Sequence, residues 1–481
     1  MQSVRYPLLR GLDGVPNHYA AAVAETKRVL ERWTMDPPFR DAYRLDPIAT
    51  LAGLGVSLTP DHVEPLIDPE ESRRITRALQ IGEAPGCPDS VLQYSAFMAE
   101  KLAHRAELRD LGTPSDPVLA AWRRRQVLRA ERDLGSQRAD AIVHAPLAIE
   151  LSEGCSVGCW FCGVSSSRFQ SSWPYTENAA LWRCYLEAIR NVIGDCASQG
   201  FLYWATDPLD NPDYESFIAD FYGVLGRCPQ TTTALGGKDT ERTRAILELS
   251  RSLGSPVDRL SILTLSQLNV IHNSFSAMEL LQVELVPQNK EAASTHVKSR
   301  SGRARTSKQK RANELISADL SSTIACVSGF LINMPAGRVQ LITPCDASDD
   351  WPLGYWVLDE QYFQTPEELA AALRMSIQRS ARAGIDPTTR ARLRHDLIVT
   401  CSPGLLKIDG SAGSLSVRGF DDYTYLADLL INEEVTCSDV ATKCHDRLGW
   451  PLTSTYAVLS KLFEAAVFDE TPPPPTKVPR S

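Results

Sequence analysis

Between residues 142 and 290 short apolar runs alternate with helical patterns, and this restricts the fold more than any other feature. "IVHAPLAIEL" is followed by "ENAALWRCYLEAIRNVIG", which carries Leu181, Tyr185, Ile189 and Val192 at helical spacing and stops at Gly194. "GFLYWAT" reads as a strand, "PDYESFIADFYGVLG" as a helix, "TTTAL" as a strand and "DTERTRAILELSRSLG" as a helix. "DRLSILTL" and "LLQVELVP" add two more strands. Strands separated by helices of this length imply βα repeats around a parallel sheet, so the class is α/β. The pattern leaves open sheet and barrel equally possible.

Residues 19 to 140 show no strand alternation and read as helices. "YAAAVAETKRVLERW" places Val23, Lys27, Leu30 and Trp33 on one face, and "RDLGTPSDPVLAAWRRRQVLRAERDLG" predicts an exposed, arginine-rich helix. Further on, "FLINMPAGRVQLITP" predicts a hairpin around Pro335-Ala336-Gly337. "TPEELAAALRMSIQRSAR" predicts a helix with Thr365 as N-cap and Glu368 completing a capping box. Between these patterns, residues 298–311 hold seven basic side chains and no acidic one, and read as a solvated loop. In "LLKI", "SLSVRG" and the three helical patterns after them lies the outline of a winged helix. A chain of 481 residues exceeds one core. The division expected is a helical domain over 1–141, an α/β domain over 142–402, a winged-helix-like domain over 403–470 and a disordered proline-rich tail over 471–481.

The formal charge of -9 argues against general affinity for nucleic acid or anionic membrane. Within residues 403–470 eleven acidic side chains oppose five basic ones, which repels phosphate and suits a peptide better. Neither a signal peptide nor a membrane span is evident, so a cytoplasmic location is expected. There the twelve cysteines would stay reduced, free to bind metal or do chemistry.

Three of them stand together in "ELSEGCSVGCWFCGVSS". Cys155, Cys159 and Cys162 can hold three corners of a [4Fe-4S] cube, and the open fourth iron can be chelated by the amino and carboxylate groups of a methionine moiety. A structural zinc site would want a fourth ligand, and His144 lies outside the usual pairing.

This CxxxCxxC pattern, with Phe161 before its last cysteine and a strand ahead of it, resembles the radical S-adenosylmethionine (SAM) superfamily signature. The resemblance implies a partial (β/α)6 barrel and a reduced cluster that cleaves SAM to a 5′-deoxyadenosyl radical. "SEGCSVGCWFCGVSS" and "YWATDPLDNPDYESF" are similar to one branch, the polytheonamide-type epimerases that invert residues of ribosomally made peptides. By that likeness Thr206 and Asp207 stand where the superfamily contacts the SAM amino group, and Ser261 where it touches the ribose. Residues 28–68 resemble the leader region of nitrile-hydratase-like and Nif11-type precursor peptides. The winged-helix pattern resembles the peptide-recognition element of such maturases, which bind a leader by strand addition. The partners implied are a leader-bearing precursor and an electron donor such as flavodoxin or ferredoxin. Carbon or sulfur cross-linking of a peptide is the alternative enzyme reading, and a peptide-binding iron-sulfur or zinc regulator the non-enzyme one.

Epimerisation through a Cα radical needs a hydrogen donor on the opposite face, and a thiol suits. Cys345, in "LITPCDASDDWPLGYW", ends a strand and resembles the donor segment of these epimerases, with Cys326 and Cys401 behind it. Cys184 and Cys196 are assigned to the core. No paired cysteines resembling an auxiliary-cluster domain follow residue 345, and no cobalamin-binding domain is recognisable.

Overall fold

The computed structural model describes residues 5–255, 257–293, 299–306, 323–411 and 413–474. The tail beyond residue 474 and part of the basic segment lie outside the described residues. Two sheets form the α/β part. One contains β1 (Ala145–Glu150), β7 (Val327–Asn333), β8 (Arg338–Pro344) and β9 (Tyr355–Tyr362) in the order β1-β7-β8-β9. The other contains β4 (Thr232–Thr233), β5 (Asp258–Ile262) and β6 (Val283–Pro287), all parallel. β1 pairs with β7 in parallel, while β7, β8 and β9 run antiparallel. The hairpin turn falls at Met334 to Gly337, whose N–H donates to the Met334 carbonyl.

No barrel closes among the described residues. The expected strand "GFLYWAT" contributes one bridge, Phe201 to Ala148, and then leaves in bends. Beyond the bend the Ala205 N–H donates to the Glu150 carboxylate at 2.8 Å instead of to a ladder partner.

The helices Tyr175–Ile193, Tyr214–Leu225 and Pro366–Ser380 cover the first sheet. Trp182 and Phe217 are fully buried and meet edge to face at 5.4 Å, with Trp173 stacked on Phe217 at 5.8 Å. Burying each such ring contributes about 2–3 kcal/mol, which makes this aromatic knot the anchor of the larger core. Cys184 departs from the core assignment: it is exposed, whereas Cys196 is buried.

The largest correction concerns the arginine-rich helix, Pro117–Leu134. It is a buried strut, with Arg123, Arg125 and Arg129 each under 5% exposed. A guanidinium can be buried only if its donors are satisfied, and these are. Arg123 donates twice to the carbonyl of His144, at 2.6 and 3.1 Å. Arg125 pairs with Glu470 at 2.7 Å and reaches the Arg382 carbonyl at 2.8 Å. Arg129 pairs with Asp133, donates to Thr343 Oγ1 and the Pro344 carbonyl, and lies 3.8 Å over the Trp356 ring. His144 is wholly buried, its Nδ1 2.8 Å from Ser328 Oγ, and it takes no part in the cysteine cluster.

The C-terminal elements are β10 (Ile398–Ser402), β11 (Leu405–Gly410) and β12 (Gly413–Val417), antiparallel in that order, with helices Thr424–Asn432, Cys437–Leu448 and Leu452–Glu464. β10 precedes residue 403 and escaped the sequence pattern, because its apolar residues alternate weakly and Ile398 is exposed. Among the described residues no helix is long and apolar enough to cross a membrane.

Candidate functional site

β1 ends at Glu150 and the chain at once forms a pinched loop. β2 (Ser152–Glu153) pairs antiparallel with β3 (Ser171–Ser172), closing the base of a loop that carries all three cysteines. Gly154 adopts φ +77°, and a Cβ there would overlap the Arg168 carbonyl, so the sharp entry into the loop requires glycine. Cys155 N donates to the Ser167 carbonyl at 3.0 Å, and Ser166 N to Cys162 Sγ at 3.4 Å. These bonds curl the loop on itself.

All three thiols are half-buried. Burial pushes Cys155 and Cys159 up to about 11, and at Cys159 the neighbouring Cys162 and Cys155 add to the rise. Among the described residues, however, no three His, Cys, Asp or Glu side chains converge as a finished metal cage. By donor chemistry, three soft thiols on one loop fit an iron-sulfur cluster.

The segment 205–210 is laced to this loop at several points. Ser166 Oγ donates to the Ala205 carbonyl, and Ser156 N donates to Asp210 Oδ2 at 2.8 Å. Glu150 accepts from Ala205 N and, at 2.9 Å, from Asn333 Nδ2, while burial raises its carboxyl. The Asp207 carboxylate adds to the rise of the Cys155 thiol, behind the larger effect of burial. That carboxylate already accepts from Thr233 Oγ1 and Ala234 N at 2.7 Å and from Leu209 N at 3.1 Å, and burial pushes it up to about 6. Thr206 is half-buried on the bend before it. Ser261 is buried in the other sheet, on β5 opposite Val286.

Described residues 299–306 are not a solvated loop. They pack onto the cysteine loop through the helix Gly302–Thr306. Arg303 N donates to the Cys162 carbonyl at 2.9 Å, and Ala304 packs against Trp160 and Phe161, whose rings meet edge to face at 5.3 Å. Charge count alone could not reveal this, because buried Ser299, Ser301 and Ala304 do the packing between the basic residues. At Gly302, φ is +55° and a Cβ would strike the carbonyls of Cys162 and Gly163. Gly302→Ala should therefore ease local opening of the loop by more than about 1 kcal/mol, visible as faster amide exchange over residues 155–163.

The same helix reaches the loop after Cys345. Gly302 N donates to the Pro352 carbonyl at 2.7 Å, and Arg305 donates to the Ala347 carbonyl at 3.1 Å and pairs with Asp349. The loop bearing Cys345 is thus joined to the cysteine loop through one short helix. Cys345 itself is buried under Trp351 and Trp356, with burial pushing its thiol up to about 12 and Arg129 opposing the rise. Adjacent strand residues face opposite ways, so Tyr355 packs with Ala145, Ala148 and Phe201 while Trp356 packs with Cys345. Tyr355 packs edge to face on Trp204, and burial pushes it up to about 12 with Cys162 near enough to contribute. Cys345 packs with Trp351 and Trp356, in a different cluster from Tyr355. Cys326 lies just before β7, and Cys401 is on β10 in the C-terminal core.

Asp210, Glu150 and Gly302 belong to the site and were missed from sequence. Asp210 could have been suspected from its place in "TDPLDNPD", where several carboxylates crowd one turn.

No family profile matches the chain. A crystal structure of BtrN in complex with AdoMet and 2-DOIA aligns over 40% of this chain and 71% of BtrN, at 16% identity and a TM-score of 0.29, a likeness too slight to argue from. The uncharacterized protein y4wI of Sinorhizobium fredii is 39% identical over 462 residues, spanning 93% of this chain and 87% of that protein. With near-complete coverage at that identity, the chain belongs to the same family as the rhizobial y4wI protein.

Proposed function

We propose that the chain is a radical SAM enzyme that inverts L-residues to D-residues in a ribosomally synthesised precursor peptide. The observation that carries this reading is the three-thiol loop at the carboxyl end of β1, with every sulfur half-buried and no fourth cysteine in the loop. Cys155, Cys159 and Cys162 would hold a [4Fe-4S] cluster, with Phe161, packed against Ala304, on the same loop. When bound, the reduced cluster and SAM supply a hydrogen-abstracting radical.

The chain's own residues do the rest. Thr206 and Asp207 would orient SAM beside Cys155, with Ser261 reaching it from β5. Trp160, Phe161 and the helix Gly302–Thr306 shield the loop from water on one flank. Cys345 would return a hydrogen atom to the opposite face of the peptide Cα, which requires residues 346–354 to open and uncover it. The resulting sulfur radical regains the thiol by taking one electron and one proton, the electron coming from a flavodoxin or ferredoxin. The acidic C-terminal unit would hold the leader by strand addition to an edge of β10-β11-β12. This reading places the enzyme in the cytoplasm and needs neither nucleic acid nor membrane.

Anaerobic reconstitution tests it. The reduced protein should form 5′-deoxyadenosine from SAM, and co-expression with a leader-bearing precursor should yield D-residues on chiral analysis of the hydrolysate. A protein that binds zinc and leaves SAM intact would sink the proposal.

A further inference from the structure

The amino-terminal ends of the parallel strands surround a cavity of about 140 Å³ to which Cys155, Cys159 and Cys162 contribute nothing. Ala145 opens β1 on its wall, Arg259 and Glu284 enter from β5 and β6, and the helix Asp89–Leu111 closes it with Lys101 and Arg105. Arg227 approaches from the turn after the helix Tyr214–Leu225. Four cations thus face one another across a small space.

One carboxylate answers them. Glu284 stands 3.1 Å from Arg259 Nε and 3.9 Å from Lys101 Nζ. Arg105 and Arg227 have no ion-pair contact and no side-chain hydrogen bond among the described residues. Glu284 acts on Arg105 and Glu107 on Arg227 only from a distance, Glu107 being paired with Arg10 at 3.0 Å. Asp258, beside the floor, accepts from Thr231 N at 2.9 Å. Burial lowers the affinity of Lys101, Arg105 and Arg227 for their protons. Concentrating like charge in a partly dry space is unfavourable unless an anion joins it. The remaining wall is mixed: Leu108, Val143, Phe201 and Val257 give it an apolar stretch, beside the polar His104 and Gln230.

We propose that this cavity is a binding site for a small phosphate monoester with a compact apolar body. Two free guanidinium forks match a doubly charged oxyanion, which each can grip through paired N–H donors, while the apolar stretch receives the ester group. The site is independent of the cysteine chemistry.

Phenyl phosphate is the probe. Calorimetric titration into the full chain at low ionic strength should show saturable binding in the millimolar range or tighter, with phenol showing none. Arg105→Gln and Arg227→Gln should each weaken it about tenfold. Arg227 lies on a turn, so its variant decides the matter even if Arg105→Gln fails to fold. Absence of saturable binding to the wild type, equal binding of phenol, or undiminished affinity in Arg227→Gln would overturn the site.

Discussion

Cys159→Ala protein, reconstituted anaerobically with iron and sulfide, is expected to lose the iron-sulfur absorption and to form 5′-deoxyadenosine no faster than buffer. Two thiols cannot hold the cube, and the segment from Glu150 to Ser166 carries no fourth cysteine to replace the lost one. The fold should survive. Cys159 lies in the cysteine loop, outside the aromatic knot of Trp182 and Phe217, and no side-chain hydrogen bond of its own supports the sheets. Near-normal far-UV circular dichroism beside lost turnover is the expected pair of results. Turnover retained by a metal-free Cys159→Ala preparation would remove the basis of the proposed function.

The second large effect concerns Cys345. Reaction of the wild type in D2O should place one deuterium on each inverted Cα, since a thiol proton exchanges with solvent. Cys345→Ala should still cleave SAM, yet yield no D-residues. The buried position sharpens the test: Cys345 is 2% exposed and packed with Trp351, so on the proposed reading exchange and reaction would both need residues 346–354 to move. Trp351→Ala should therefore leave inversion possible, whereas Cys345→Ser, which keeps the shape but has a much stronger bond to hydrogen, should not. Full inversion by Cys345→Ala would transfer the role to Cys326, Cys401 or another donor. Protium at Cα in D2O would exclude a thiol altogether.

Much of the framework was legible in the sequence because it rests on local physics. Gly194 and Gly226 end helices where the apolar spacing stops, and Thr365 caps its helix by accepting from Glu368 N at 3.2 Å. What stayed hidden depends on partners distant in the chain. "AWRRRQVLRAERDL" looks solvent-facing until the carbonyls of His144, Pro344 and Arg382 are seen to take its guanidinium donors. "GFLYWAT" has the composition of a strand, but it bends away after Phe201, and its Ala205 N–H goes to the carboxylate of Glu150, 55 residues earlier. At the site, the cysteine spacing announced itself. The roles of Asp210 and Gly302, which appear only when loops from three parts of the chain meet, did not.

The arginine strut carries one more implication. Arg125 and Arg132 fasten the helix Pro117–Leu134 to Glu470 and to the Ala465 carbonyl, while Arg129, on the turn between them, holds the Pro344 carbonyl one residue from Cys345. Asp133 is shared by Arg129 and Arg394, which locks both attachments to the same helical turn. On the proposed reading, the place where a leader is gripped and the place where a residue is inverted are held at a set span. The helix then works as a ruler: which positions of a peptide are altered is decided by how many residues separate them from the leader, and lengthening that spacer moves the pattern along the peptide rather than abolishing it.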